Sequence, residues 1–375
     1  MKLAVVRERR DAEKRVAASP DTVKKLIGLG FEVAVEKEAG TGASILDTDF
    51  TEAGASISAT LEDTLKDADV ILSVQGLEAD QLTSVKKGAV QLSALNPFVE
   101  QDRLNAYADA GLVAFAMEFV PRITRAQSMD ILSSQSNLAG YKAVLDAAAH
   151  YGRGMPMMMT AAGTVAPAKV MVMGAGVAGL QAIATAKRLG AIVSATDVRP
   201  AAKEQVESLG GKFVMVEDEE TAAAETSGGY AKEMSDEYKA KQAALISETL
   251  AKQDIAITTA LIPGRPAPTL ITEDMVKSMK PGSVIVDLAV EAGGNCELSK
   301  PGEIIEAHGV TIVGYRNVPS RLAADASVLF AKNLLNFITP HVKEGVLEID
   351  FEDEIISESL VTKDGAVVHS RLLEG

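Results

Sequence analysis

The chain has no tryptophan, one cysteine and four histidines, and only 4% of its 375 residues are aromatic. A lone Cys296 rules out an intrachain disulfide and points to a reducing compartment. His150, His308, His341 and His369 are far apart, and no His, Cys and carboxylate group has metal-ligand spacing, so neither a metal site nor a histidine-centred catalytic cluster is expected. Basic charge is also short: 37 Lys and Arg against 52 Asp and Glu leave a net charge of -15. That balance argues against nucleic acid and against direct adhesion to an anionic membrane surface. The opening MKLAVVRERRDAEKR has no apolar stretch of signal-peptide length. Met155 to Leu180 is almost continuously apolar, but Pro156, Pro167, Lys169 and four glycines interrupt it. A buried strand followed by a turn is expected there rather than a membrane span.

What is present is an ordinary globular balance, 47% hydrophobic and 24% charged, in a chain long enough for two domains. Strand-like and helix-like segments alternate, which predicts an α/β fold of two Rossmann-like domains with mostly parallel sheets separated by a cleft. Strands are expected at Lys2–Val6, Phe31–Glu36, Val70–Val74, Val90–Leu95 and Leu112–Ala116, with a helix over Pro20–Leu29. A second cycle starts at Lys169, with strands at Val170–Met173, Ile192–Thr196, Ile255–Thr259 and Ser283–Leu288, and Val310–Val313 at the edge. The helix predicted over Ala323–Ile338 is expected to return to the first domain. The domains are therefore 1–138 plus 321–375, and 139–320. Glu354–His369 reads as a hairpin turning at Lys363-Asp364-Gly365, and Thr221–Tyr238 as a mobile loop.

GAGVAG at Gly174–Gly179 is a weak signal alone, but here a strand precedes it, a helix follows, and Asp197 closes the next strand. Gly174 permits the tight turn, Gly176 lets the backbone approach a pyrophosphate, and Gly179 allows close helix–strand packing. The helix start offers N–H groups and a positive dipole end to phosphate. Asp197 can accept from the ribose hydroxyls and would repel a 2′-phosphate, which favours NAD(H) over NADP(H), although Arg199 nearby keeps NADP(H) open. In the polar segment Pro121–Ser136, the spacing of Gln127, Asp130 and Ser133 predicts one face of a helical turn, preceded by Arg122 and Arg125. The segment fits either a cleft lining at the nicotinamide end or a solvated, capped helix start.

The strings RAQSMDILSSQSNLAGYKAV, PMMMTAAGTV, GVAGLQAIATAKRLGA, ETSGGYAKEMS, DIAITTALIPGRPAP, KPGSVIVDLAVEAGGNCE and NVPSRLAADAS closely resemble the NAD(H)-binding component of proton-translocating nicotinamide nucleotide transhydrogenases, densely from about Pro121 to Pro340. The resemblance implies a fold similar to alanine dehydrogenase, a homodimer, and direct hydride transfer between NAD(H) here and NADP(H) on a separate component. It further implies coupling to proton movement through a membrane-spanning component, with this chain cytoplasmic and attached to the membrane only through its partners. It places Arg122, Ile123, Thr124, Gln127, Asp130 and Ser133 around the nicotinamide. Gly174, Gly176, Val177, Ala178 and Gly179 go to the phosphates, Asp197, Val198 and Arg199 to the adenosine side, and Thr259, Ala260 and Leu261 beside the nucleotide. Gly229 and Tyr230 belong to the loop that closes over it. An alanine dehydrogenase would call for a lysine and a histidine in the first domain, where this sequence has ILSVQGL and LSALNPF. A non-catalytic NAD(H) sensor is the third possibility, and assay with a partner separates it from the enzyme.

Overall fold

Short apolar runs without alternation, such as VMVM, IAIT and VIVD, suit strands covered on both faces, as in a parallel sheet flanked by helices. A computed structural model describes residues 1–199, 201–216, 235–262 and 264–373, and divides them into two units: residues 1–135 with 319–375, and residues 136–318.

In the first unit an eight-stranded sheet runs in the order Ala366–Val367, Leu360–Lys363, Val113–Ala116, Val90–Ala94, Val70–Gln75, Lys2–Val5, Glu32–Glu36, Ser56–Ser58. From Val113–Ala116 onward all neighbours are parallel, while the Leu360–Lys363 strand joins antiparallel. The Ala323–Ile338 helix buries Ala323, Ala326, Ser327, Phe330, Leu334, Phe337 and Ile338. That three- and four-residue spacing gives one apolar face, and each large side chain on it contributes about 2 kcal/mol of burial. It packs with Leu3, Val5, Val33, Leu72 and Leu92 of the sheet into a single core. The expected tail hairpin exists only in its second half: Glu354–Ser359 is a helix capped by Asp353, and the turn is Asp364–Gly365, both at positive φ. A two-residue turn of that kind matches the twist of its strands.

The second unit holds a seven-stranded sheet in the order Lys212–Phe213, Ile192–Thr196, Lys169–Met173, Ile255–Thr258, Val284–Asp287, Val310–Val313, Ile304–Ala307. All neighbours are parallel except the last pair. Val310–Val313 is thus internal, not the edge expected from sequence; Ile304–Ala307 takes that place, its alternating partial exposure being that of a strand with one open side. The apolar stretch from Met155 also differs from expectation. Before the buried strand, Met158–Thr160 and Gly163–Val165 form a two-stranded hairpin, with Met159 78% exposed. Among the described residues, no helix is long and apolar enough to cross a membrane.

Candidate nucleotide site

Strand order reverses around Lys169–Met173: the next two strands, Ile192–Thr196 and Lys212–Phe213, lie to one side, and Ile255–Thr258 lies to the other. In such sheets the crevice beyond the carboxyl ends of the two strands at the reversal is where nucleotides bind. Met173 and Thr258 are paired in register there, so Gly174 and Thr259 leave the sheet side by side, and Thr259 Oγ1 donates to the Gly174 carbonyl at 3.0 Å.

The three glycines of GAGVAG differ in their surroundings. Gly174 sits at φ +105°, and a Cβ on it would lie 2.5 Å from Thr259 Oγ1. A Cβ on Gly179 would lie 1.8 Å from the Gly174 carbonyl oxygen, so only glycine lets the helix come this close to the turn. A Cβ on Gly176 would meet nothing within 4 Å. The middle glycine therefore leaves open space above the turn while the outer two are locked by packing. Gly176 caps the Val177–Arg188 helix without any side-chain hydrogen bond, which leaves the amides of the first turn without a side-chain partner. Gly140, on the Ile131–His150 helix, allows that helix against the same turn, since its Cβ would fall 2.0 Å from the Ala178 carbonyl oxygen.

Asp197 follows the Ile192–Thr196 strand. Its Oδ2 accepts from the Ala175 N–H at 2.7 Å, which ties the acid to the glycine turn. Its Oδ1 accepts from the Arg199 N–H at 2.8 Å, and the Arg199 guanidinium closes on both oxygens. Burial alone would raise the carboxyl pKa, but the Arg199 side chain and the two amides outweigh it and hold the group below the usual carboxylate range. Val198 and Leu261, 86% and 57% exposed, leave apolar surface bare close to this acid and after Thr259. Gly229 and Tyr230 lie outside the described residues.

In the first unit, the Pro121–Ser136 segment departs from the single helical face expected. Thr124–Met129 is a 3-10 helix carrying Gln127; the chain then extends at Asp130, and the α-helix begins at Ile131. Asp130 caps that helix, accepting from the Ser133 N–H at 2.9 Å and the Ser133 hydroxyl at 2.5 Å. The break has a local cause: an aspartate ahead of a helix competes for its free amides and fixes the start there. Gln127 and Arg122 are exposed, and their side chains make no hydrogen bond or ion pair among the described residues; Ile123 and Thr124 flank the 3-10 start. Arg125 turns to Asp353 instead, at 2.5 and 3.2 Å.

A cavity of about 280 Å³ in the same unit is lined by Arg7, Glu8, Glu13, Lys14 and Arg15 among others. Arg15 donates to Glu13 at 2.8 and 2.6 Å and to Gln135 at 2.8 Å, while the Gln75 amide donates to Glu13. Glu8 accepts from the Val74 and Gln75 amides, and burial pushes its carboxyl up to about 8. No group of His, Cys, Asp and Glu able to hold a metal ion occurs among the described residues.

Sequence reasoning passed over Asn295, a wholly buried amide that bonds both the N–H and the carbonyl of Ala260. The paired glycines of EAGGNCE are the one local sign of a turn there, but which loop the asparagine meets depends on strand order.

Two family models match the chain: alanine dehydrogenase/PNT, N-terminal domain, over residues 4–139, and alanine dehydrogenase/PNT, C-terminal domain, over residues 143–370. The first polypeptide of the NAD(P) transhydrogenase alpha subunit of Rhodospirillum rubrum is 61% identical, over 99% of this chain and 99% of its own length. The crystal structure of transhydrogenase from Sinorhizobium meliloti is similar, with a TM-score of 0.91 and 55% identity over 98% of this chain and 100% of that one. An L-alanine dehydrogenase structure is similar at a TM-score of 0.84 and 25% identity, over 100% of this chain and 98% of that one. Matched in this way over nearly its whole length, the chain belongs to the alanine dehydrogenase/PNT family, on the side of the NAD(P) transhydrogenase alpha subunits.

Proposed function

We propose that this chain is the NAD(H)-binding subunit of a proton-translocating NAD(P) transhydrogenase. The observation that carries the reading is the open Gly176 between two sterically locked glycines, at the strand reversal and beside an ionised Asp197. These residues fit NAD(H): the first-turn amides and dipole of the Val177–Arg188 helix would face the pyrophosphate, and Asp197 would accept from the adenosine ribose. Val198, Thr259, Ala260 and Leu261 would border the adenosine and ribose. Arg122, Ile123, Thr124, Gln127, Asp130 and Ser133 would serve the nicotinamide, and Tyr230 would close over the nucleotide with Gly229 beside it.

Bound there, the nicotinamide supplies the hydride donor or acceptor, its counterpart being NADP(H) on a separate component. Exchange between two nicotinamides gives the protein no proton to move at the reacting carbon. What this chain contributes is hold and orientation, where small misplacements cost rate heavily. Gln127, with a free amide that can donate and accept at once, suits alignment of that kind. A homodimer, docked through its partners to a membrane-spanning component on the cytoplasmic side, completes the proposal.

An amino-acid dehydrogenase would need a proton acceptor at the substrate carbon. Gln75 and Asn96 stand in the stretches where one is required, and the Arg15 cation beside Gln75 already carries the Glu13 carboxylate. The test is reconstitution: the chain plus an NADP(H)-binding component is expected to reduce an NADP analogue with NADH. An NAD-dependent oxidation of alanine to pyruvate by the chain alone, without such transfer, would overturn the proposal.

A further inference from the structure

We infer that Asn295 is a positioning residue for the nucleotide: its buried amide clamps the Ala260 peptide and so fixes the Thr259–Leu261 wall against the glycine turn. The inference rests on the proposed NAD(H) site and goes beyond it, because Asn295 itself is wholly buried and touches no solvent.

The geometry is reciprocal. Ala260 N–H donates to Asn295 Oδ1 at 3.0 Å, and Asn295 Nδ2 donates back to the Ala260 carbonyl at 2.9 Å and to the Pro268 carbonyl at 2.8 Å. The amide's oxygen and both its N–H groups are used on backbone, and only a side chain with one acceptor and two donors at this reach can do so. The backbone of Asn295 is pinned as well: its carbonyl accepts from Leu270 and Ile271, and its N–H donates to Asp287 Oδ2 at 2.8 Å.

Asp287 is the anchor behind it. At the end of the Val284–Asp287 strand and fully buried, its carboxylate also accepts from Thr258 Oγ1, the Ala289 and Cys296 amides and Ser299 Oγ. Gly293 and Gly294, at φ +102° and +85°, turn the chain so that Asn295 enters; a Cβ at Gly294 would lie 3.0 Å from Asp287 Oδ2. A continuous hydrogen-bonded line therefore runs from Asp287 through Asn295 to Ala260, and from the adjacent Thr259 to the Gly174 carbonyl. A fully satisfied side-chain network rigidifies the loops it joins, and removing Asn295 takes the side-chain partner from the Ala260 N–H and from the Ala260 and Pro268 carbonyls.

The experiment titrates NADH against the wild-type chain and Asn295→Ala, with circular dichroism as the check on folding. The expected result is a folded variant whose NADH affinity falls at least tenfold. A folded variant whose affinity falls less than tenfold overturns the inference. Wild type that fails to bind NADH refutes the proposed function itself, so the two failures are distinct.

Cys296, next in sequence and buried, reports the local state: a thiol reagent should label it faster in Asn295→Ala than in wild type, and saturating NADH should slow the labelling in both. Should the variant not fold, hydrogen exchange on the wild-type chain decides. Slow exchange of the Ala260 amide without nucleotide, slowed further by NADH together with Gly174–Gly179, supports the clamp. Exchange at the rate of an open chain, or NADH protection of the glycine turn that leaves Ala260 unchanged, overturns it.

Discussion

Arg199 lays its guanidinium along the carboxylate of Asp197, with Nε 2.9 Å from Oδ1 and Nη2 3.0 Å from Oδ2. A cation that could welcome a 2′-phosphate is thereby committed to the acid that would repel it. At the proposed NAD(H) site, discrimination between NADH and NADPH would then depend on both members of the pair.

Asp197→Asn removes the charge and releases Arg199. NADH affinity is expected to fall about tenfold, roughly 1.4 kcal/mol, while NADPH affinity rises by a similar factor. Equilibrium dialysis with each nucleotide measures both; an unchanged preference would remove Asp197 from the specificity argument. Because the pair keeps the carboxyl below its ordinary value of 3.8, wild-type NADH affinity should stay flat from pH 8 to about pH 5 and decline only as acid reaches the depressed value.

The glycines make opposite predictions. At Gly176, φ is -76° and a methyl meets nothing within 4 Å, so Gly176→Ala should fold with stability within about 0.5 kcal/mol of wild type. Its methyl would stand where the pyrophosphate must come, and NADH binding should drop more than tenfold. Gly179→Ala drives a methyl into the Gly174 carbonyl and should cost about 1–3 kcal/mol of stability. Thermal melts and NADH titration on the two variants separate space kept for a ligand from space needed for packing.

Gln127→Asn shortens an exposed side chain that has no partner among the described residues, so stability should not change. In the reconstituted system the single-turnover transfer rate should fall roughly tenfold or more, about 1.4 kcal/mol of barrier, with NADH affinity much less affected. A normal rate with weakened NADH binding would make Gln127 a ground-state anchor. Asp130→Ala is the contrast: loss of the cap should cost about 1 kcal/mol of stability.

Partly buried Glu118 accepts from the Leu95 and Asn96 amides, and desolvation pushes its carboxyl up to about 7. Unfolded, the group ionises near 4.5, so the fold favours the protonated form. Its contribution to stability is full below pH 4.5 and is lost as pH rises through about 7, on the order of 3 kcal/mol. Glu118→Gln abolishes that loss. Melting temperatures at pH 4 and pH 8 should show the variant gaining on wild type at the higher pH, and a pH-independent difference would refute the assignment.

Periodicity and spacing served best where one segment determines its own fate. Ile192–Thr196 and Ala323–Ile338 have the bounds that their patterns predict, because each buries a continuous run or a single stripe. GAGVAG was readable for the same reason: turn, cap and close approach all lie within six residues. Ile304–Ala307 was missed because a half-exposed edge strand carries little apolar signal, and the Met158–Val165 hairpin because its methionines resemble core. The 3-10 turn at Gln127 hid behind helical spacing, since i, i+3 recurs in both kinds of helix. Asn295 could not be found at all without strand order, its partner lying 35 residues away.

The antiparallel strand Leu360–Lys363 pairs with Val113–Ala116, and Ser327 Oγ accepts from the Val16 N–H across a separation of 311 residues. During synthesis the first α/β unit therefore waits for residues 323–363 of its own chain. Residues 136–318 emerge as an uninterrupted stretch and have every strand of their sheet before the Ala323–Ile338 helix is made. At about 5–20 residues per second, residues 1–135 spend roughly ten to forty seconds with the apolar face for that helix bare. Released fragments ending just before residue 323 should bind a holdase through residues 1–135 while the nucleotide-fold unit already resists protease.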